Sequence, residues 1–349
     1  MSESPAPQTH EQLTAATRQF MEHRELLFAI VYNMLGGVAD TEDVLQDTWL
    51  SWSGSRERSP ERHIENPRAY LVRVAMNHAL TRRATVSRRR ETYVGPWLPE
   101  PLVAAATEET PADAADHTLR TESVSLAMLV VLESLTPLER AVFVLNEVFG
   151  YAHTEIAEVI DRSPAAVRQL AHRARRHVHA RRPLYEAHPR VRREATQRFV
   201  EAAAGGDVGA LMEILAPDVT VWTDAGGKRR PAVLRPVHGR DKAIRLLTAS
   251  AARGAGQRLD LRYRRVNGDD AAVLFAGRSP YAVIVLDLTP EGDRVSGVYV
   301  VTNPDKLTHV HPAEGQDQPD QSDQSDQSDQ SGQSGQSGQQ DRNRTEADA

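Results

Sequence analysis

The 349 residues predict a multidomain protein: two all-α domains, then an α+β domain, then a disordered tail. Three observations carry that reading. Apolar residues recur at helical spacing from Thr14 to Arg90 and again from Ser123 to about Arg182. After Glu194 two short helices lead into β-rich runs, and helices followed by strands are the mark of α+β architecture. Within the last forty residues, the stretch from Asp317 repeats Asp or Gly with Gln and Ser, and with no aromatic or large aliphatic side chain to bury it cannot offset its ordering entropy.

The first helix carries Phe20, Leu26, Leu27, Ile30, Val31, Met34 and Leu35 on one stripe and stops at Gly36-Gly37. A second is expected to open at Asp40 or Thr41 as N-cap, with Glu42 and Asp43 in its first turn, and to run through Trp49 and Trp52. A third begins after Asn66-Pro67, proline suiting a first helical position, and ends in the basic run RRATVSRRR. Residues 91–120 read as a linker broken by Pro96, Pro99, Pro101 and Pro111. In the third domain helices over 195–204 and 208–215 precede the runs DVTVW, LDLRYRRV, AAVLFAG, YAVIVLDL and RVSGVYVV.

Composition narrows the function classes. Cysteine is absent, which excludes a disulfide framework and thiolate metal sites. The polar N-terminus is unlike a secretory signal and no apolar run is long enough to span a bilayer, so a cytoplasmic protein without membrane contact is expected. The formal net charge is -6, yet arginines cluster locally.

The densest cluster lies in RSPAAVRQLAHRARRHV. A short helix over 154–160 is followed by Asp161-Arg162, then by Ser163 as N-cap and Pro164 at the first position of a second helix. Val167, Leu170, Ala171, Ala174 and Val178 form its buried stripe, with Arg168, Gln169, His172, Arg173 and Arg176 opposite. Two helices joined by a tight turn, the second basic, match a DNA-binding helix–turn–helix. Ala165 and Ala166 permit close approach to a groove. Arg168 and Gln169 are placed to reach base edges, and Arg173, Arg175 and Arg176 phosphates. From Arg162 to Arg182 no acid interrupts the arginines, whereas a merely solvated helix interleaves both signs.

With those residues in view, the chain resembles a sigma-70 family RNA polymerase sigma factor of the extracytoplasmic-function type. SLTPLERAVFVLNEVFGYAHTEIAEVIDRSPAAVRQLAHRARRHV resembles region 4, whose helix–turn–helix reads the promoter -35 element. DTEDVLQDTWLSW resembles the part of region 2 that docks on the clamp helices of the polymerase β′ subunit, and NPRAYLVRVAMNHALTRR the part that opens and reads the -10 element. Asp43, Gln46 and Asp47 share one helix face and offer acceptors to a basic partner helix. Arg73, Asn77, His78, Arg82 and Arg83 would contact phosphates and an unstacked base. Two departures stand out: Thr81 where many relatives carry Asp, and Asp161 where Gly is common, a residue that tolerates a left-handed backbone.

RFVEAAAGGDVGALMEILAPDVTVWTDAGGK resembles the start of a SnoaL-like domain of the nuclear-transport-factor-2-like superfamily, a curved sheet with helices forming a cone. YVGPWLPEP, DAGGK and NPDKL resemble motifs of the sigma-J-like group that carries this fused domain, with Ala225 where the group usually has Gly. The resemblance implies sigma region 2 over 14–90, a linker over 91–120, region 4 over 121–182, the SnoaL-like domain over 190–308 and the tail over 309–349. It implies core RNA polymerase (β′ clamp helices and β subunit) and promoter DNA as partners, no cofactor, no metal and no catalytic residue. It further implies regulation in cis, with Trp97, Leu98 and Pro99 of the linker held by Asp224, Gly226, Gly227 and Lys228 and by Asn303, Pro304, Asp305, Lys306 and Leu307. Alternatives are a small-molecule ligand in the cone, an acid–base site drawn from Asp224, His238 and Asp287, or a repressor without polymerase contact, against which the region 2-like helices argue.

Overall fold

The computed structural model describes residues 7–58, 64–104, 124–181, 188–228, 233–254 and 256–312. Pro111, Arg182 and residues 313–349 of the expected 309–349 tail lie outside them; residues 309–312 are described, with Val310 in an apolar cluster beside Leu307. Among the described residues no helix is long and apolar enough to cross a membrane.

The helical half contains α1 (Pro7–Leu35), α2 (Val38–Arg58), α3 (Pro67–Glu91), α4 (Leu126–Leu132), α5 (Pro137–Phe143), α6 (His153–Val159) and α7 (Pro164–Arg181). Gly36, at φ +73°, ends α1 in the left-handed conformation. Asn66 caps α3 by accepting from Ala69 N–H at 3.0 Å, with Pro67 in the first turn. Thr136 and Glu139 form a reciprocal capping box on α5. The start of α2 differs from expectation. Neither Asp40 nor Thr41 is its cap; the Val38 N–H donates to Glu100 Oε2 at 2.7 Å, so a carboxylate 62 positions downstream caps the helix. The apolar faces of α1 to α3 and α4 to α7 merge in one cluster running from Phe20 and Trp52 to Val167 and Val178.

The second half opens with α8 (Pro189–Gly205), which starts six residues before the predicted 195 because His188 caps it and Pro189 occupies its first position. It continues through α9 (Val208–Ile214), β1 (Leu215–Asp224), β2 (Val237–His238), α10 (Arg240–Gly254), β3 (Asp260–Val266), β4 (Asp269–Ala276), β5 (Ser279–Leu288) and β6 (Val295–Val301), then one 3-10 turn at Pro304–Lys306. Helix α10, between β2 and β3, was not anticipated. The six strands form one sheet in the order β2-β1-β6-β5-β4-β3, antiparallel except for β1 with β6.

Strand alternation divides that sheet into two apolar faces. Val221, Ala272, Leu286 and Val298 point to α8, α9 and α10. Val273, Phe275, Val283, Val285 and Val301 point the other way and are covered by elements from the first half: Leu98 of the linker and Leu126 and Ala127 of α4.

Candidate functional site

In the helix–turn–helix, the stripe Val167, Leu170, Ala171, Ala174 and Val178 is buried. Asp161 sits in the turn at φ +52°, the left-handed conformation expected of it. Ser163 Oγ accepts from Ala166 N–H at 3.2 Å, and Arg168, Gln169, His172, Arg173, Arg175 and Arg176 are all exposed. The arginines are less solitary than their own helix suggests. Arg173 Nε lies 3.1 Å from Glu139, and Arg175 donates to Glu147 at 2.7 Å and Asn146 at 2.9 Å. The acids come from the preceding helical segment rather than from α7. The side chains of Arg168, Gln169, His172 and Arg176 make no hydrogen bond or ion pair among the described residues.

On α3, Arg73 and Asn77 are exposed, and His78 meets Ser51 Oγ at 3.1 Å. Arg82 donates to Asp40 at 2.9 Å and also to Asp43, joining an expected DNA contact to an expected polymerase contact. Arg83 departs from the expectation of a solvent-facing phosphate contact. It is 3% exposed and donates to the Met34 carbonyl at 2.8 Å and to Glu133 at 3.0 Å. On α2, Asp43, Gln46 and Asp47 form an exposed face, and Leu50, 59% exposed, extends that line one turn further.

Linker residues 93–102 are held by side chains of the fused domain. Asp224, fully buried at the end of β1, accepts from Tyr93 Oη at 2.5 Å, Leu98 N–H at 2.8 Å and Lys306 Nζ at 2.7 Å. Lys306 Nζ also donates to the Leu98 carbonyl and lies 4.2 Å from the centre of the Trp97 ring. Burial pulls this ammonium from its ordinary 10.5 down to about 8, even with Asp224 opposing. On α3, the Arg90 guanidinium lies 3.3 Å from the Trp97 ring centre. Leu98 is fully buried with Leu307, and Pro99 is buried beside it.

The other motif residues hold the loops that make this clamp. Asn303 Oδ1 accepts from Asp305 N–H at 3.1 Å while its amide donates to Tyr93 Oη at 2.8 Å, and Pro304 opens the 3-10 turn. Lys228 pairs with Asp305 at 2.6 Å. At Gly226 (φ +60°) a Cβ would stand 2.4 Å from the Asn303 amide, and at Gly227 3.2 Å from Val94. Both glycines are needed for close approach.

Six further residues complete the clamp: Tyr93, Arg90, Glu100, His309, Asn267 and Tyr32. Tyr93 and Arg90 flank the PWLPEP stretch. Glu100, which caps α2, also faces His309 Nδ1 at 3.2 Å, and His309 Nε2 lies 2.7 Å from the Pro101 carbonyl. Asn267, in the β3–β4 hairpin at φ +50°, accepts from Leu102 N–H at 3.1 Å and donates to Tyr32 Oη at 2.9 Å, while Tyr32 Oη donates to the Glu100 carbonyl at 2.5 Å. The Asn-Gly dipeptide between two β runs was the available signal for that hairpin.

The acid–base alternative gains no converged set. His238 and Asp287 share a row across the sheet, but Thr220 and Gly297 stand between them, and His238 is bonded to Thr220 Oγ1 at 3.0 Å. Asp224 lies four residues further along β1, engaged with the linker.

A basic helix–turn–helix, a second helical module bearing an acidic face, and a sheet domain gripping the connection between them define a transcription initiation factor with a built-in third domain. The chain belongs to the sigma-70 family of RNA polymerase sigma factors, extracytoplasmic-function group, and directs transcription. It matches Sigma-70 region 2 over residues 19–89, Sigma-70 region 4 over 125–178 and the SnoaL-like domain over 196–312. It is 35% identical over 308 residues to the ECF RNA polymerase sigma factor SigJ of Mycobacterium tuberculosis, covering 86% of this chain and 96% of the relative. Probable sigma factor SigI of the same organism is 30% identical over 309 residues, covering 85% of this chain and 96% of that one. The crystal structure of M. tuberculosis SigJ aligns with a TM-score of 0.64 at 32% identity, covering 84% of this chain and 98% of that chain.

Proposed function

We propose that the SnoaL-like domain regulates the sigma factor in cis by clamping the linker between regions 2 and 4. The observation that carries this reading is the Asp224 carboxylate, which holds Tyr93, Leu98 and Lys306 at once with no exposure to solvent. The -35 and -10 elements lie about 25 base pairs apart, which is about 85 Å of B-DNA at 3.4 Å per base pair. Regions 2 and 4 sharing one apolar core cannot span that distance, so the clamped arrangement is the resting one and must open on the promoter. Once open, Arg168 and Gln169 read base edges at the -35 element, while Ser163, His172, Arg173, Arg175 and Arg176 meet its backbone. Arg73, Asn77, His78, Arg82 and Arg83 act at the -10 element, and Asp43, Gln46 and Asp47, with Leu50 as apolar anchor, take a basic helix of core polymerase.

The test is run-off transcription with core polymerase from a promoter selected with the full chain, comparing it with Trp97→Ala and with a chain ending at Pro304. Both changes should alter promoter-specific output severalfold. Unchanged output from both refutes regulation in cis.

A further inference from the structure

The last carbonyls of α1 form a hub with side chains of the two helical regions, one of which, Arg90, also lies over Trp97 of the clamp. Arg140 of α5 donates through Nε to the Asn33 carbonyl at 2.7 Å, Arg83 of α3 to the Met34 carbonyl at 2.8 Å, and Arg90 of α3 to the Leu35 carbonyl at 2.6 Å. Helix C-terminal carbonyls lack partners of their own and carry the negative end of the dipole, which explains why cations gather there. All three guanidinium groups then converge on one carboxylate, Glu133 at the C-terminus of α4. Two of these arginines belong to region 2; the third, and the acid, belong to region 4.

The cluster is lopsided. Two buried cations, Arg83 and Arg140, and the partly buried Arg90 share one carboxylate that is itself 21% exposed, and among the described residues Arg90 Nε and Arg140 Nη2 are buried without a hydrogen-bond partner. A buried cation that loses its counter-ion is strongly destabilising, so this junction depends on Glu133. It also hides Arg83, one of the residues assigned above to the -10 element.

We propose that Glu133 is a second, charge-based lock that holds region 4 on region 2 and sequesters Arg83; it adjoins the clamp of the fused domain through Arg90, which also lies over Trp97, but is built on a different carboxylate. It deepens the reading of a closed resting state but does not require that the fused domain impose it. Opening separates one acid from two arginines of the neighbouring region at a single step.

The chain contains no cysteine, so paired labels can be introduced directly. Glu22→Cys on α1 and Glu158→Cys on α6, both exposed, carry spin labels in the full chain, and the distance distribution is measured by pulsed electron resonance. Wild type should give one short distance. Glu133→Gln, which keeps the shape and removes the charge, should move the population to long distances by on the order of a hundredfold in the open-to-closed ratio. Asp224→Asn, measured beside it, should leave the distance short while freeing the linker to exchange its amide protons. If Asp224→Asn does not loosen the linker, the clamp reading fails and the lock stands. If Glu133→Gln leaves the distance unchanged, the lock fails and the clamp stands. Should Glu133→Gln not fold by circular dichroism, Glu133→Asp takes its place, because the shorter acid keeps the charge but cannot reach all three arginines; it should open in part. An unchanged distance in whichever variant folds, or loss of fold in both, overturns the proposal.

Discussion

Replacing Asp224 by Asn removes the fully buried carboxylate at the centre of the linker clamp. The side chain is fully buried and its partner Lys306 is 11% exposed, so water screens little of their attraction. Taking one partner from such a pair costs about 3–5 kcal/mol. Two details set the figure at the low end. The asparagine oxygen still accepts from one of the three donors, Tyr93, Leu98 or Lys306. Lys306, already pulled down to about 8, can release its proton near neutral pH once the carboxylate is gone. A loss of about 3 kcal/mol corresponds to on the order of a hundredfold at about 1.4 kcal/mol per decade. Hydrogen exchange at the Leu98 amide reads it directly, because that N–H is fully buried and bonded to Asp224. Its exchange should quicken by about two decades at pH 7 while amides inside α7 keep their protection. Equal rates in variant and wild type would show that the carboxylate does not hold the linker.

Three further outcomes are expected. Gly226→Ala places a methyl against the Asn303 amide at a left-handed φ, so it should destabilise the chain by about 1–3 kcal/mol and lower Tm by several degrees in a thermal melt. Burial alone would lower the His309 pKa, but acceptors on both ring nitrogens, Glu100 and the Pro101 carbonyl, raise it above 6.5. A raised folded-state pKa gives stabilisation that is complete below about 6.5 and lost as pH climbs through the raised value; denaturant titrations should show that loss in wild type and not in His309→Gln. In -35 binding, Arg168→Ala should cost about 1–3 kcal/mol and relax preference at one base position, while Arg176→Ala should weaken all sequences alike and reduce the salt slope by about one unit, both measurable by fluorescence anisotropy.

The local grammar of the fold was open to reading. Proline at first helical positions, Asn66 and Ser163 as caps, and the strand runs after residue 215 all declare themselves within a few neighbours. So did the union of PWLPEP with the DAGGK and NPDKL loops, though only through family resemblance; spacing alone does not say that Asp224 faces Leu98. What stayed hidden is what depends on distant partners. Glu100 caps α2 from across the molecule, and Arg83 looks like any basic residue of the -10 helix until the α1 carbonyls draw it inside. The run of arginines in α7 lacks acids only in its own sequence; Glu139 and Glu147 come from the segment packed beneath it. Helix α10 is hard to see among the β-rich runs on either side of it, although Ala243, Ile244 and Leu247 keep helical spacing.

The second face of the sheet has a mechanical consequence. Phe275, Val283 and Val285 are kept dry by Leu98, Leu126 and Ala127, residues that would have to move in the proposed open state. Departure of those three leaves a wet aliphatic panel on the trailing domain, which water resists. On the proposed opening, the fused domain would be a spring-loaded lid, drawn back onto its own linker by the cost of wetting that panel.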